Sequence, residues 1–304
     1  MPPSAFRDSL SAIGLACAGY FLFCVGDAIL KALGDAYSSY QIISMTSLSS
    51  MALALLLIIV KHGWIGLITP KWKLFVIRGV QLSLSTFCVV LALNRIPLAD
   101  FYGIIFLTPM VTTLFAAVFL KEPVGIYRIL AIIIGFIGVL IITGPAFENG
   151  NVGYLYAGCC PIVGSIGAIL VRKIGSDKIP LRFAFYPFAV ATIIFTPLTF
   201  IDGINPDISM ANIGIIILFA VSSVIGLVLY SLGFTRARDT ALVAPFHYTQ
   251  MIWGILLGMM FFSEIPTWTT LAGSALISMA GIVVIWREHV HHRQIATPTP
   301  ENTV

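Results

Sequence analysis

The chain has 304 residues, of which 59% are hydrophobic and 10% charged. Soluble domains carry roughly 25% charged residues, so this composition excludes a water-soluble globular protein. The net charge of +4 is also too small to build a nucleic-acid-binding face. Because about 20 apolar residues cross a bilayer, the chain can supply ten membrane spans and leaves no room for a soluble domain.

Ten hydrophobic stretches follow one another along the chain, separated by short segments that contain Pro, Gly, Asn or Asp. We therefore predict an all-α integral membrane protein with ten transmembrane helices. The first stretch is longer than the core of a signal peptide, so we expect an uncleaved anchor. The predicted spans are residues 10–30, 40–60, 74–93, 98–120, 126–143, 153–171, 183–201, 213–232, 241–262 and 267–286.

The lysines and arginines predict the orientation of these spans, because positively charged loops stay on the cytoplasmic side of a membrane. With the N-terminus in the cytoplasm, 15 of the 17 basic residues fall on the cytoplasmic side, and Lys31 and Arg95 fall on the other. A wrong number of spans would mix the two groups. The segregation therefore favours ten spans with both termini cytoplasmic.

Glycine and charged positions repeat along the chain. A shift of 141 residues lays one triplet from the end of the first span over another from the end of the sixth: Gly26, Lys31 and Gly34 over Gly167, Arg172 and Gly175. We predict a cytoplasmic N-terminus (1–9), a five-helix repeat (10–143), a periplasmic loop (144–152), a second repeat (153–286) and a disordered cytoplasmic tail (287–304). Because five is odd, the second repeat must cross the membrane in the opposite sense, as in many secondary transporters.

Short motifs recur at matching places in the two halves. They are residues 94–99, 108–109, 120–122 and 135–140 in the first half, and 262–264, 271–273 and 280–283 in the second. In these motifs, and in length and span number, the chain resembles the drug/metabolite transporters of the ten-helix type with two EamA domains. The resemblance covers residues 10–286. It implies a carrier in the bacterial inner membrane for small metabolites such as amino acids, nucleotide-like compounds or other amphipathic molecules.

The expected function is therefore secondary transport by alternating access, coupled to a proton or another gradient. The sequence has no phosphate-cradling loop for ATP, and its five cysteines form no Cys-x-x-Cys pair, so we expect no cofactor and no metal. The expected partners are a small-molecule substrate, the lipid bilayer and a coupling proton, with no nucleic acid. The protein would act as a monomer or homodimer. A passive channel and a membrane-embedded enzyme stay as alternatives.

Ionisable residues inside the predicted spans are the first candidates for a transport role, because a charge is costly within the bilayer. Asp27 and Lys31 lie four residues apart near the outer end of the first helix and can pair there. The pair could gate the outer side or contact a zwitterionic substrate, with Asp27 as a proton carrier. Alternatively it is an interfacial ion pair whose lysine extends to water. Glu122 and Glu264 are predicted to cap the helices that follow them.

Polar and aromatic side chains at helical spacing supply the other pathway candidates. His247 is the only histidine inside a predicted span, and Pro109 predicts a kink that could help the halves rock or simply shape a static bundle. Small and polar residues also mediate helix packing in membranes, so packing stays an alternative for these candidates. They are Gln81, Ser85, Tyr102, Pro109, Ser222, Tyr230, His247, Tyr248, Gln250 and Trp253.

Overall fold

The computed structural model describes residues 3–108, 110–111, 114–115, 126–148, 150–236 and 244–296. Within these ranges the regular elements are ten α-helices and two short 3-10 helices, Trp64–Leu67 and Ala244–Tyr248, with no strand. The α-helices are α1 (Pro3–Leu33), α2 (Ser39–His62), α3 (Trp72–Leu93), α4 (Leu98–Ile105), α5 (Ile126–Glu148), α6 (Gly153–Ile174), α7 (Arg182–Asp202), α8 (Met210–Arg236), α9 (Thr249–Phe262) and α10 (Trp268–Ala296).

Six of these helices, α1, α2, α3, α6, α7 and α8, contain a stretch long and apolar enough to cross a membrane. Shorter apolar stretches lie in α5, at Ile129–Gly144, and in α10, at Trp268–Val283. Length and composition therefore give the described part of the chain the character of a multi-pass membrane protein.

Two predicted spans differ from the structure in how they are built. In the fourth, α4 ends at Ile105 and Phe106 and Leu107 form a turn. In the ninth, the short 3-10 helix Ala244–Tyr248 precedes α9, so the backbone changes its winding where the polar residues lie. Hydropathy alone did not reveal these breaks, because the residues on either side of them are equally apolar.

The end of the chain also differs from its prediction. Residues 287–296 were expected to belong to a disordered tail, yet α10 continues through Ala296. Between Trp286 and Ala296 the sequence has neither glycine nor proline, so nothing there would end a helix. Residues 297–304 lie outside the described ranges.

The main helix contacts join the first five helices to the last five. Helix α1 packs chiefly on α8, α2 on α7, α3 on α6, α4 on α9 and α5 on α10. If each helix is replaced by the one five positions away along the chain, this pattern is unchanged: the α1–α8 contact becomes the α6–α3 contact, and α1–α9 becomes α6–α4. The bundle core therefore lies between the two halves of the chain.

Glycines allow two of these helix pairs to approach closely. A side chain at Gly19 of α1 would lie 2.9 Å from the backbone nitrogen of Tyr230 in α8, and one at Gly138 of α5 would lie 2.9 Å from the carbonyl of Gly273 in α10. In membrane proteins such contacts let neighbouring backbones pack against each other directly. They bring the helices of the two halves together around the polar core.

Hydrogen bonds tie α2 and α7 together at both ends of this pair. At one end, the Gln41 amide donates to the Asn205 carbonyl at 2.8 Å and accepts from the Asn205 backbone N–H at 3.0 Å. At the other end, Arg182 donates from Nε to the Gly66 carbonyl at 2.8 Å and forms an ion pair with Asp177 at 2.9 Å. The polar groups in these two regions are satisfied within the protein.

Candidate functional site

One face of α1 carries Tyr20, Cys24 and Asp27 into the contact between the halves. The Tyr102 hydroxyl of α4 donates to Asp27 Oδ2 at 2.7 Å, and Cys24 Sγ donates to the Gln250 carbonyl at 3.7 Å. The Tyr102 ring packs directly on Gly254 of α9, where any side chain would collide with it. Residues from α1, α4 and α9 thus meet around the Asp27 carboxylate, whose hydrogen-bond donor is a neutral hydroxyl.

The segment that enters α9 contributes buried polar atoms that have no hydrogen-bond partner among the described residues. They are His247 Nε2, Tyr248 Oη and Gln250 Oε1, joined by Ser274 Oγ of α10. A buried polar group without a partner costs about 1–3 kcal/mol, and four in one region are unusual for a folded protein. Such atoms are positioned to bind something the structure does not contain.

Aromatic contacts link these polar groups to α1 and α4. The His247 ring contacts Tyr20 edge-on at 5.1 Å between centroids and Phe106 at 6.1 Å. Tyr248 contacts Phe106 at 4.9 Å, and Tyr230 of α8 contacts Tyr20 at 5.7 Å. The central cluster, defined as Tyr20, Cys24, Asp27, Tyr102, His247, Tyr248 and Gln250, is therefore continuous with Tyr230.

Gln81 lies in a different contact, between α3 and α6. Its amide nitrogen donates to the Val163 carbonyl at 2.8 Å, and its amide oxygen accepts a hydrogen bond from Arg78. A side chain at Gly167 of α6 would lie 2.6 Å from the Gln81 Oε1. The pair thus fills a space that a glycine leaves open. Ser85 lies half-buried on α3, one turn beyond Gln81.

The remaining candidates lie farther from the central cluster or outside the described ranges. Ser222 donates to the Phe219 carbonyl of its own helix at 3.0 Å. Trp253 contacts Phe21, which is 37% exposed, at 4.8 Å and so lies towards the outer surface of the bundle. Pro109 lies outside the described residues.

Lys31 does not pair with Asp27 as the sequence suggested. Its ammonium group lies 2.5 Å from Glu264 Oε1 and donates to the Ile96 carbonyl at 2.7 Å. Glu264 Oε2 accepts from the Leu98 backbone N–H at 2.9 Å, so it caps α4 rather than the helix that follows it. We call these four residues the Lys31 clasp.

The local fold after α9 explains the change of partner. Ser263 adopts a left-handed conformation with φ of 54°, and the Glu264 N–H bonds back to the Gly258 carbonyl at 3.1 Å. This turn directs Glu264 towards the start of α4 and the end of α1. A pairing between distant loops gives no signal in the spacing of residues along one helix.

Asp100 is a buried carboxylate that the sequence analysis missed. It is 6% exposed in the first turn of α4, where it accepts from the Tyr154 hydroxyl at 2.5 Å and from the Thr270 hydroxyl. The residue links α4 to α6 and α10. Its position two residues inside a predicted span was a usable signal, since ionisable groups there are rare.

A family model decides which proteins this chain belongs with. The description "EamA-like transporter family" matches residues 10–144 and again residues 151–287. The chain belongs to the EamA-like transporter family. It contains two tandem EamA domains, and the family and its named relatives are transporters rather than enzymes.

Named relatives of this EamA-like transporter cover most of its length. It is 27% identical over 277 residues to the pseudopaline exporter CntI of Pseudomonas aeruginosa, covering 90% of this chain and 95% of that protein. It is 24% identical to the S-adenosylmethionine uptake transporter of Rickettsia felis, covering 93% and 95%. It is 22% identical to the riboflavin transporter of Vibrio cholerae, covering 66% of each chain.

A solved crystal structure has the same fold. It aligns over 98% of this chain and 100% of its own, with a TM-score of 0.63 and 17% sequence identity. In this EamA-like transporter the central cluster draws on both matched ranges, because α1 and α4 lie in the first and α9 in the second.

Proposed function

We propose that this protein is a secondary transporter that moves a small metabolite across the bacterial inner membrane by alternating access. The observation that carries the proposal is the central cluster, where a carboxylate from one half faces unpaired polar atoms from the other half. A site shared between two halves changes its exposure when the halves rock against each other. Completing its hydrogen bonds would favour substrate binding.

We further propose that the two halves form an inverted repeat with both termini in the cytoplasm. The exchange pattern of the helix contacts supports the repeat, because a two-fold axis between the halves would produce it. The segregation of 15 of 17 basic residues supports the orientation. Reporter fusions at Glu148 and Val304 that fall in the same compartment would contradict both features.

Asp27 is the group we propose for coupling. Its carboxylate lies within the bundle beside the neutral Tyr102 hydroxyl, with no cation near enough to form an ion pair among the described residues. A charge in that position is stabilised when it binds a proton or a cationic part of the substrate. Exchange of one for the other would couple substrate movement to a proton gradient.

The names of the relatives support a small-molecule substrate without choosing among amino acids, nucleotide-like compounds and other amphipathic molecules. They include both an exporter and uptake transporters, so the direction for this chain is not taken from them. Direction follows from the gradient that the cell maintains and not from the geometry of the site.

The test is flux into proteoliposomes that contain the purified protein. A panel of radiolabelled amino acids, nucleosides and cofactors is supplied with and without an imposed pH gradient, beside protein-free vesicles. We expect saturable uptake of at least one compound, recovered chemically unchanged, and a faster rate with the gradient. Absence of saturable flux for the whole panel would contradict the transport function, whereas flux that does not saturate would favour a channel.

A further inference from the structure

Arg78 is a buried cation that the central cluster does not use. It is 9% exposed on α3, and its hydrogen bond goes to the neutral amide oxygen of Gln81. A guanidinium group has five N–H donors, and an uncompensated charge inside a membrane bundle is costly. Over the residues that the structure describes, the ion pairs join Lys31 to Glu264 and Arg182 to Asp177, and none involves Arg78.

The protein around Arg78 keeps it from reaching water or lipid head groups at the surface. Gln81 and Gly167 lie against it from α3 and α6, and the Tyr230 hydroxyl of α8 interacts with it electrostatically. Tyr230 also contacts Tyr20 of the central cluster. Arg78 therefore lies on a continuous path of side chains that leads to Asp27 and His247.

Helix packing does not explain the charge. Gly26 and Gly167 occupy equivalent places at an offset of 141 residues, and each faces a side chain across a helix contact. Opposite Gly26 that side chain is Phe219, and the same offset makes Arg78 its counterpart opposite Gly167. One half fills this contact with an apolar ring, so the fold has no need of a cation in the other half.

We propose that Arg78, assisted by Gln81, binds a carboxylate group of the transported substrate. This inference rests on the proposed transport function and adds a substrate class to it. A carboxylate accepts two parallel hydrogen bonds from a guanidinium group and neutralises its charge. A phosphate monoester carries about −1.5 to −2 charges at pH 7 and would leave one buried arginine with excess negative charge.

The experiment measures ligand-induced shifts in melting temperature for the full chain in nanodiscs. The probes are L-methionine, L-histidine and L-phenylalanine, each beside its own carboxamide, and AMP beside adenosine. Binding to the folded state raises the melting temperature, so concentration series give an apparent affinity for each probe. The proteins are the wild type, Arg78→Met, Arg78→Lys and, as a matched control on an exposed arginine, Arg95→Met.

We expect at least one carboxylate probe to bind the wild type and Arg95→Met about tenfold or more tightly than its carboxamide. Arg78→Met should lose that preference, and Arg78→Lys should keep part of it. Without ligand, Arg78→Met should melt at the same temperature as the wild type or higher, because removal of an unpaired buried charge does not destabilise a fold.

Three results would overturn the inference. They are carboxylate binding that Arg78→Met retains in full, an unliganded Arg78→Met that is strongly destabilised, and a wild type that binds AMP but none of the carboxylate probes. Failure of all probes to bind the wild type also counts against it. The flux panel judges the proposed function separately, since uptake of a neutral compound would leave transport intact while this inference fails.

Discussion

Lys31 and Asp27 lie one turn apart on α1, and the structure surrounds their charges very differently. Lys31 has a carboxylate and a carbonyl within hydrogen-bonding distance, and its partner Glu264 also caps α4. Asp27 accepts from a neutral hydroxyl, and close to it lie polar atoms with no partner in the described structure. The clasp is complete within the protein, whereas the central cluster has hydrogen-bonding capacity left for a ligand.

This difference suggests what to look for in a membrane bundle. Both residues meet the rule that ionisable groups inside a span are functional candidates. Only the partners separate a group that holds helices together from one that is available to substrate. The predictions below remove one group at a time from each region, and the two regions should respond in different measurements.

The largest effect is expected from Asp27→Asn. The substitution keeps the size of the side chain and the Tyr102 contact but removes the charge, so pH-gradient-driven uptake should fall by about tenfold or more. Thermal stability should change little, because the lost partner is a neutral hydroxyl. The measurement is uptake in proteoliposomes, with Asp202→Asn at the exposed end of α7 as the matched control. Unaltered gradient-driven uptake would remove Asp27 from the coupling role.

Lys31→Met should act on stability instead. It leaves the partly buried Glu264 carboxylate without its cation, which should lower the free energy of unfolding by about 2–3 kcal/mol. Denaturation in detergent measures this loss. The double variant Lys31→Met/Glu264→Gln should recover part of it, because the unpaired charge is removed. If the single variant were as stable as the wild type, the clasp would not be a structural element.

Tyr102→Phe sharpens the description of the central cluster. The ring still packs on Gly254, while the hydrogen bond to Asp27 at 2.7 Å is lost. We expect a change of about fivefold in the half-saturation concentration, corresponding to about 1 kcal/mol, with little change in stability. Concentration-dependent uptake provides the measurement. An effect confined to the melting temperature would place Tyr102 among the packing residues.

Ser222→Ala should have the smallest effect. Ser222 is buried, but its hydroxyl bonds to the carbonyl of Phe219 in its own helix. Loss of such a bond is expected to change the free energy of unfolding by about 0.5 kcal/mol or less and uptake by less than about twofold. A strong loss of uptake would return Ser222 to the pathway and extend the site along α8.

Most of the helix positions could be predicted from the sequence, because runs of apolar residues between turn residues are a direct consequence of crossing a bilayer. The breaks after Ile105 and before Thr249 could not, since 3-10 turns inside apolar stretches leave no mark in hydropathy. Residues 247, 248 and 250 stood out as polar groups in an apolar run, and three of the four unpaired buried atoms belong to them.

The pairings were harder to predict than the positions. Lys31 was matched to Asp27 because helical spacing is the only geometry that a sequence displays, whereas its partner Glu264 is 233 residues away in the chain. Arg78 stood in a polar stripe with Gln81, but its lack of an acidic partner is a property of the folded neighbours. Long-range contacts therefore set the difference between the clasp and the cluster.

Counterflow in proteoliposomes tests the central claim most directly. Vesicles with the wild-type protein are preloaded with an unlabelled compound that the flux panel identifies, and entry of the labelled compound is followed without any ion gradient. A carrier whose single site alternates between the two sides predicts that preloading accelerates labelled entry several-fold. Equal entry rates with and without preloading would contradict the account.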